Sequence, residues 1–204
     1  LNILWLSPDE WLIYSNNNDY NYKVEDKLFN EIKNHSNIIL SEIEPTMKIN
    51  LRSKKKDILS KIGKSLSIIP PTEAHTSSSS DILNILWLSP DEWLIYSNNN
   101  DYNYKVEDNL YNEISKLNYG SIANVSDHWV MINMNGDKVY ELLSSSCHYN
   151  FDKFKVTKGS VVQTLLNHID VIIHNKYENN LNLFVRRSFS NHLWSWLNDS
   201  IKFI

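Results

Sequence analysis

Cysteine occurs once in the 204 residues, at Cys147, and glycine only four times, at Gly63, Gly120, Gly136 and Gly159. A single cysteine excludes an internal disulfide framework and fits a reducing cytoplasm, so the expected location is cytoplasmic. Four scattered glycines match neither the dinucleotide fingerprint nor the phosphate-loop spacing, and no bound nucleotide is expected. No apolar run approaches the length of a membrane span, and no secretory pattern opens the sequence, so no membrane partner is expected. A positive excess is also missing. Twenty Lys and Arg face 24 Asp and Glu, for a formal net charge of −4, which argues against a nucleic-acid footprint.

What is present begins with a repetition. LNILWLSPDEWLIYSNNNDYNYKVED fills residues 1–26 and returns letter for letter at 83–108. At the same offset of 82, Lys27 faces Asn109 and Phe29 faces Tyr111, and the match runs to Ile32 against Ile114 before stopping. Structural repeats drift at exposed positions because only the buried face is constrained. Two near-identical copies read instead as a segmental duplication or an assembly artefact, with residues 1–34 a surplus copy of 83–116 and residues 35–204 one ordinary domain. Since the chain opens on Leu rather than Met, its natural amino terminus is expected to lie elsewhere.

The remaining pattern predicts an α+β fold with mixed, largely antiparallel sheets and interleaved helices. Residues 47–51 alternate as a half-buried strand around Lys48 and Asn50. Ser53 is expected to open a helix with Ile58, Leu59, Ile62 and Leu66 on one face. Residues 69–81, with Pro70, Pro71 and four serines, read as a mobile connection. The apolar runs 85–88 and 93–96, joined by Ser89-Pro90-Asp91-Glu92, predict a hairpin covered on both faces. Asp101 or Asn103 can cap a helix with Val106, Leu110, Ile114 and Leu117 in one stripe. Strands are expected at 121–125 and 129–134, a short helix around Val139, Leu142 and Leu143, then a meander at 161–166, 169–174 and 181–185. A helix from about Ser188 closes the chain. Lys48, Arg52, Lys54, Lys55, Lys56, Lys61 and Lys64 form a basic cluster, read as a solvated face, with docking of an acidic partner as the alternative.

No set of residues assembles a nucleophile, base and orienting group. The histidines are His35, His75, His128, His148, His168, His174 and His192, and none forms an i, i+4 ligand pair. His168 and His174 would face one side of a strand, but lack a third ligand, so ordinary polar strand residues are expected there and no metal site. Asp127-His128 and Cys147-His148 are adjacent pairs, which a strand turns to opposite faces. Cys147 reads as a small buried hydrophobe. Catalytic and cofactor-binding residues are therefore expected to be absent from this chain.

The segment FVRRSFSNHLWSWLNDSIKFI carries more information. On a helix, Phe189, Leu193, Trp194, Trp196, Leu197, Ile201, Phe203 and Ile204 spread over roughly 180°, wider than the roughly 100° stripe one core contact requires. Tryptophan and arginine anchor interfaces, so Arg186, Arg187, Phe189, Trp194 and Trp196 are candidate partner-interface residues. The alternative is that the two tryptophans only cap this domain's own core.

In order, LSEIEPTMKINLR, LWLSPDEWLIYS, ANVSDHWVMINMNGDKVYELLSSSC, VVQTLLNHIDVIIH and LFVRRSFSNHLWSWL resemble the gamma subunit of the heterotetrameric, tetrahydrofolate-linked sarcosine oxidases, over about Ile38 to Ile204. In that family the first of these segments precedes the hairpin, which makes residues 83–108 the copy in place. The resemblance implies a fold similar to part of the aminomethyltransferase (glycine-cleavage T-protein) family. It implies a non-catalytic subunit that packs on the alpha subunit of a complex with beta and delta subunits. That complex oxidises sarcosine to glycine, passes the one-carbon unit to tetrahydrofolate and reduces oxygen to hydrogen peroxide. FAD and FMN are expected on beta, NAD and the folate site on alpha and zinc on delta, with no cofactor on this chain. The sequence departs from the pattern in its duplicated start and in His148, where the family often has proline. Two other classes stay open: a free-standing folate-binding aminomethyltransferase-like protein, and a one-domain regulatory binding protein.

Overall fold

A computed structural model describes residues 2–7, 10–14, 38–44, 46–98, 104–114 and 116–204. The chain divides into two compact units, Leu1–Ser36 and Asn37–Ile204. In the first unit, β1 (Asn2–Ser7) and β2 (Glu10–Tyr14) form an antiparallel hairpin, with Trp5 opposite Trp11 and an irregularity between Trp5 and Ser7.

The second unit begins with β3 (Ile39–Ile43), β4 (Lys48–Ser53), α1 (Asp57–Leu66), β5 (Ser77–Ser79), β6 (Leu83–Ser89) and β7 (Glu92–Ser97). The hairpin β6–β7 repeats the first one's register, Trp87 opposite Trp93 with an irregularity between Trp87 and Ser89. The same letters thus dictate the same local geometry twice. Its turn is Pro90-Asp91, where proline presets φ and the Ser89 hydroxyl donates to Asp91 Oδ1 at 2.7 Å. There follow α2 (Tyr104–Ile114), β8 (Gly120–Asn124), β9 (Trp129–Asn135), α3 (Val139–Ser144), α4 (Asp152–Val156), β10 (Val161–Leu166), β11 (Ile169–Tyr177), β12 (Asn180–Arg186) and α5 (Arg187–Ile201).

Two five-stranded sheets result, in the orders β5-β6-β7-β4-β8 and β10-β11-β12-β9-β3, and every pairing between them is antiparallel. Four layers follow from where the apolar side chains go. Ile49, Leu51, Ile85, Trp93 and Ile95 pack beneath α1 and α2, with Ile58, Ile62, Leu110 and Ile114. Leu86, Leu94, Tyr96, Met131, Ile172 and Phe184 fill the space between the sheets. Leu142, Leu143, Phe154, Leu193 and Leu197 cover the outer face of the second sheet. The fold is therefore α+β, as the alternating runs and periodic stripes predict, and β6 and β7 are buried on both faces.

Three local expectations are corrected. Ser53 does not open α1. It remains the last residue of β4, its hydroxyl donates to the Tyr119 carbonyl at 3.0 Å, and α1 starts at Asp57. Residues 69–81 are a strap rather than a loose connection: Pro70 and Pro71 are buried, the Trp93 indole donates to the Pro71 carbonyl at 2.8 Å, and Ser77–Ser79 pair with β6. Three consecutive serines tolerate a strand when a partner edge supplies the hydrogen bonds. Lys48, placed by its neighbours in a solvated basic cluster, is 1% exposed because its strand position points between the sheets. The short α4 was not foreseen. It is set by an aromatic cluster in which the rings of Phe151 and Phe154 lie 5.6 Å apart edge to face. The cap positions Asp101 and Asn103 lie outside the described residues, as does His35.

Candidate functional site

Helix α5 starts directly at the end of β12, so the strand delivers it onto the outer face of the second sheet. Leu193 and Leu197 are fully buried. Trp194, Trp196, Ile201 and Ile204 are only partly buried against the same core, and Phe189 stays 46% exposed. The helix thus buries a two-leucine stripe completely, packs its two tryptophans partly beside it, and keeps part of its aromatic surface outside its own domain. Arg187 is held by Asp127, donating from Nε to its carbonyl at 2.6 Å and from Nη2 to its carboxylate at 3.3 Å. Arg186 lies 3.9 Å from the Asp170 carboxylate. Both pairs are exposed, where ion pairs contribute little to stability, and the guanidinium faces stay accessible.

Arg186 also borders a cleft of about 360 Å³ lined by Asn50, Glu92, Trp129, Gln163 and Asp170, among others. Its polar groups are engaged with one another. Glu92 accepts from Asn50 and from Arg52, each at 2.6 Å, and Gln163 donates to the Leu88 carbonyl at 2.6 Å. A general acid or base needs a group free to exchange a proton with substrate, and this cleft offers paired ones.

A buried polar chain between the sheets escaped the sequence reading. Asn133 Nδ2 donates to Asn182 Oδ1 at 2.9 Å, and Asn182 Nδ2 to the Tyr96 phenol at 3.1 Å. The phenol stands 2.8 Å from His174 Nδ1, and His174 Nε2 stands 2.9 Å from the Ser77 hydroxyl. Ser77 in turn donates to the Gly159 carbonyl at 2.8 Å. The fixed donors at either end settle the directions. Tyr96 accepts from Asn182 and gives its proton to Nδ1, so Nε2 carries hydrogen and donates to Ser77.

Ser77 and His174 have the spacing of a nucleophile and its base, but the proton runs the wrong way. Burial, reinforced by the ammonium of Lys176, pulls the His174 pKa from 6.5 down to about 3, and burial pushes the Tyr96 phenol above its usual range. A base this weak cannot activate a hydroxyl, and the chain is structural. The sequence pattern marks His174 as an ordinary strand residue, and only the fold brings it to Ser77 and Tyr96, 97 and 78 residues away.

The other candidates stay apart. His168 has φ 64 in the tight turn between β10 and β11 and is exposed, so it does not share a strand face with His174 as the spacing suggested. Asp127 is fully exposed and His128 stacks edge-on against Trp129 at 5.0 Å. Cys147 is buried as expected, with its sulfur 3.3 Å from the Thr164 hydroxyl. Among the described residues, no three His, Cys, Asp or Glu side chains converge as a metal site requires, and no helix is long and apolar enough to cross a membrane.

Residues 58–202 match the model of the sarcosine oxidase gamma subunit family. No curated protein sequence matches the chain. Among solved structures, it is similar to a chain of the heterotetrameric sarcosine oxidase from Corynebacterium sp. U-96, solved in complex with pyrrole 2-carboxylate. That likeness has a TM-score of 0.73 at 20% identity and covers 80% of this chain and 83% of that one. It is also similar to the glycine cleavage system aminomethyltransferase T from Bartonella henselae, with a TM-score of 0.57 at 10% identity over 82% of this chain and 47% of the other, so it spans about half of that enzyme. At such identities the structural likenesses establish the fold, which is aminomethyltransferase-like. With the family model matched over most of its length, the chain belongs to the sarcosine oxidase gamma subunit family.

Proposed function

We propose that this chain is a structural subunit of a heterotetrameric sarcosine oxidase, and that it contributes surface rather than catalytic groups. Residues 35–204 form the subunit domain and residues 1–34 are a surplus copy. The complex would demethylate sarcosine to glycine in the cytoplasm, hand the one-carbon unit to tetrahydrofolate and release hydrogen peroxide. FAD, FMN, NAD, zinc and the folate site would sit on the alpha, beta and delta subunits, with alpha the direct partner.

The observation that carries this reading is the division of labour along α5. Leu193 and Leu197 are fully buried, Trp194 and Trp196 flank them only partly buried against the same core, and Phe189 stays exposed, so α5 keeps aromatic area outside its own domain, on the helix that Arg186 and Arg187 open. Aromatic anchors of this kind carry most of the energy of an interface when they enter a dry pocket on the partner. The test is co-expression with the alpha, beta and delta chains, followed by size-exclusion chromatography. Trp194→Ala is expected to weaken assembly by about 2 kcal/mol or more and to leave the melting temperature of the isolated chain nearly unchanged. A drop in melting temperature with intact assembly would return Trp194 to the core. Tight tetrahydrofolate binding by the isolated chain in calorimetry would favour the free-standing folate protein instead.

A further inference from the structure

We propose that His174 is the pin of an acid-opened clasp, holding the strap of residues 70–79 across the edges of both sheets while neutral and releasing it on protonation.

The strap joins the two sheets at one edge. It contributes β5 to the first sheet, where the Thr76 carbonyl also accepts from the Trp87 N–H at 3.0 Å. On the second sheet the His75 carbonyl accepts from the Val161 N–H at 2.9 Å, and the Asn175 carbonyl accepts from the Gly159 N–H at 2.8 Å beneath the strap. Ser77 is the one strap side chain bonded to the buried His174 ring. Its close approach depends on Gly159, whose φ of +79° and missing side chain leave room, since a Cβ there would sit 2.9 Å from the Ser77 hydroxyl oxygen.

In the neutral state each contact from Asn133 to Gly159 pairs one donor with one acceptor. Protonation makes both ring nitrogens donors. Tyr96 would then receive hydrogens from both Asn182 and His174, and its own proton would lose its acceptor. The groups around the ring offer no compensating charge: Tyr96 from β7 and Ser77 from the strap bond it, Asn182 from β12 and Gly159 from the turn before β10 bond those two, and Lys176 from its own strand is the charge that acts on it. None of these is a carboxylate. Lys176 also faces this space, donating to Asn84 and Asn98 at 3.0 and 3.1 Å. An imidazolium here needs water, and water reaches it by the side that Ser77 closes. Ser77 is half-buried, on a three-residue edge strand, whereas Tyr96 and Asn182 lie deep between the sheets. The strap is the side that gives.

The folded pKa lies below the unfolded one, so opening takes up a proton in acid. The opening constant therefore rises about tenfold for each pH unit below 6.5, or about 100-fold at pH 4.5. Amide hydrogen exchange on the full chain at pH 7.5 and 4.5, corrected for intrinsic rates, reads this directly. Residues 72–80 should lose about 100-fold in protection between the two pH values, and at each pH they should exchange faster than the β12 amides of 181–185, which open only with the sheet. His174→Gln keeps an acceptor and a donor but does not titrate, and His75 is still present in it; its strap should hold the same protection at both pH values. Strap protection equal to that of the β12 amides, or unchanged between the two pH values, in the unmodified chain overturns the clasp whether or not the variant folds. An undiminished loss of protection in His174→Gln overturns the role of His174.

Discussion

Lys48→Met should stabilise the protein, although it removes a hydrogen bond. Lys48 is 1% exposed and its ammonium donates to the Thr46 carbonyl at 3.1 Å. Burial, assisted by Arg187 and opposed by Asp127, lowers its pKa from 10.5 to about 8. At about 1.4 kcal/mol per pH unit, holding the charge there costs about 3 kcal/mol. The neighbouring Arg187 and Asp127 stand in solvent, and screening at that end brings the cost to about 2 kcal/mol. Methionine has a similar length and fills the same space between the sheets. It forfeits the bond to Thr46, about 1 kcal/mol. The net expectation is a gain of about 1 kcal/mol at pH 7.5, or roughly 2–4 °C in Tm for a domain of this size. The pH profile supplies a second signature. Between pH 8 and 10.5 the unfolded chain holds the lysine proton and the folded chain does not, so the stability of the unmodified protein climbs with pH across that window. In Lys48→Met this climb should be missing. Urea titrations at pH 7.5 and 10 measure both quantities. A variant less stable at pH 7.5 that keeps the alkaline climb would refute the reasoning and show that Lys48 is a net stabiliser.

Gly159→Ala combines a positive φ with a Cβ driven against Ser77, and should cost about 2 kcal/mol in thermal melts while raising strap exchange at every pH. Tyr96→Phe keeps the ring between Phe184 and His174 but leaves His174 Nδ1 without its donor and Asn182 Nδ2 without its acceptor, at a cost of about 1–3 kcal/mol in urea unfolding. Deleting residues 1–34 is expected to preserve a cooperative melt and partner binding and to reduce self-association, because the fold uses one hairpin between β5 and β4 and the second copy fills that position. Loss of the circular dichroism signal in the truncated chain would make the first copy integral.

Local order was legible from the letters alone. The strands NILWLS and EWLIY pair in both places, with Trp5 opposite Trp11 and Trp87 opposite Trp93, because two short apolar and aromatic runs this close in the chain leave one register that keeps their faces matched. The unbroken apolar runs announced a strand pair buried on both faces, and the 3.6-residue stripes announced α1, α2 and α5. Of the five candidate interface residues, Arg186 ends β12 and Arg187, Phe189, Trp194 and Trp196 follow along α5, a placement that comes from their closeness in the chain. What the sequence could not show depends on distant segments meeting. Ser77, Tyr96 and His174 sit on strands whose neighbours are set by sheet order, so no spacing rule connects them. Lys48 follows the same logic: its charged neighbours in the chain suggested solvent, but strand periodicity turned it to the opposite face from Ile49 and Leu51, and a second sheet covers that face. Sequence dictated the periodic elements and their apolar faces, while the serine strand of 77–79 and the short helix of 152–156 took shape only against their neighbours. The packing of two sheets decided which polar groups were left inside, and burial there, rather than residue type, set their protonation.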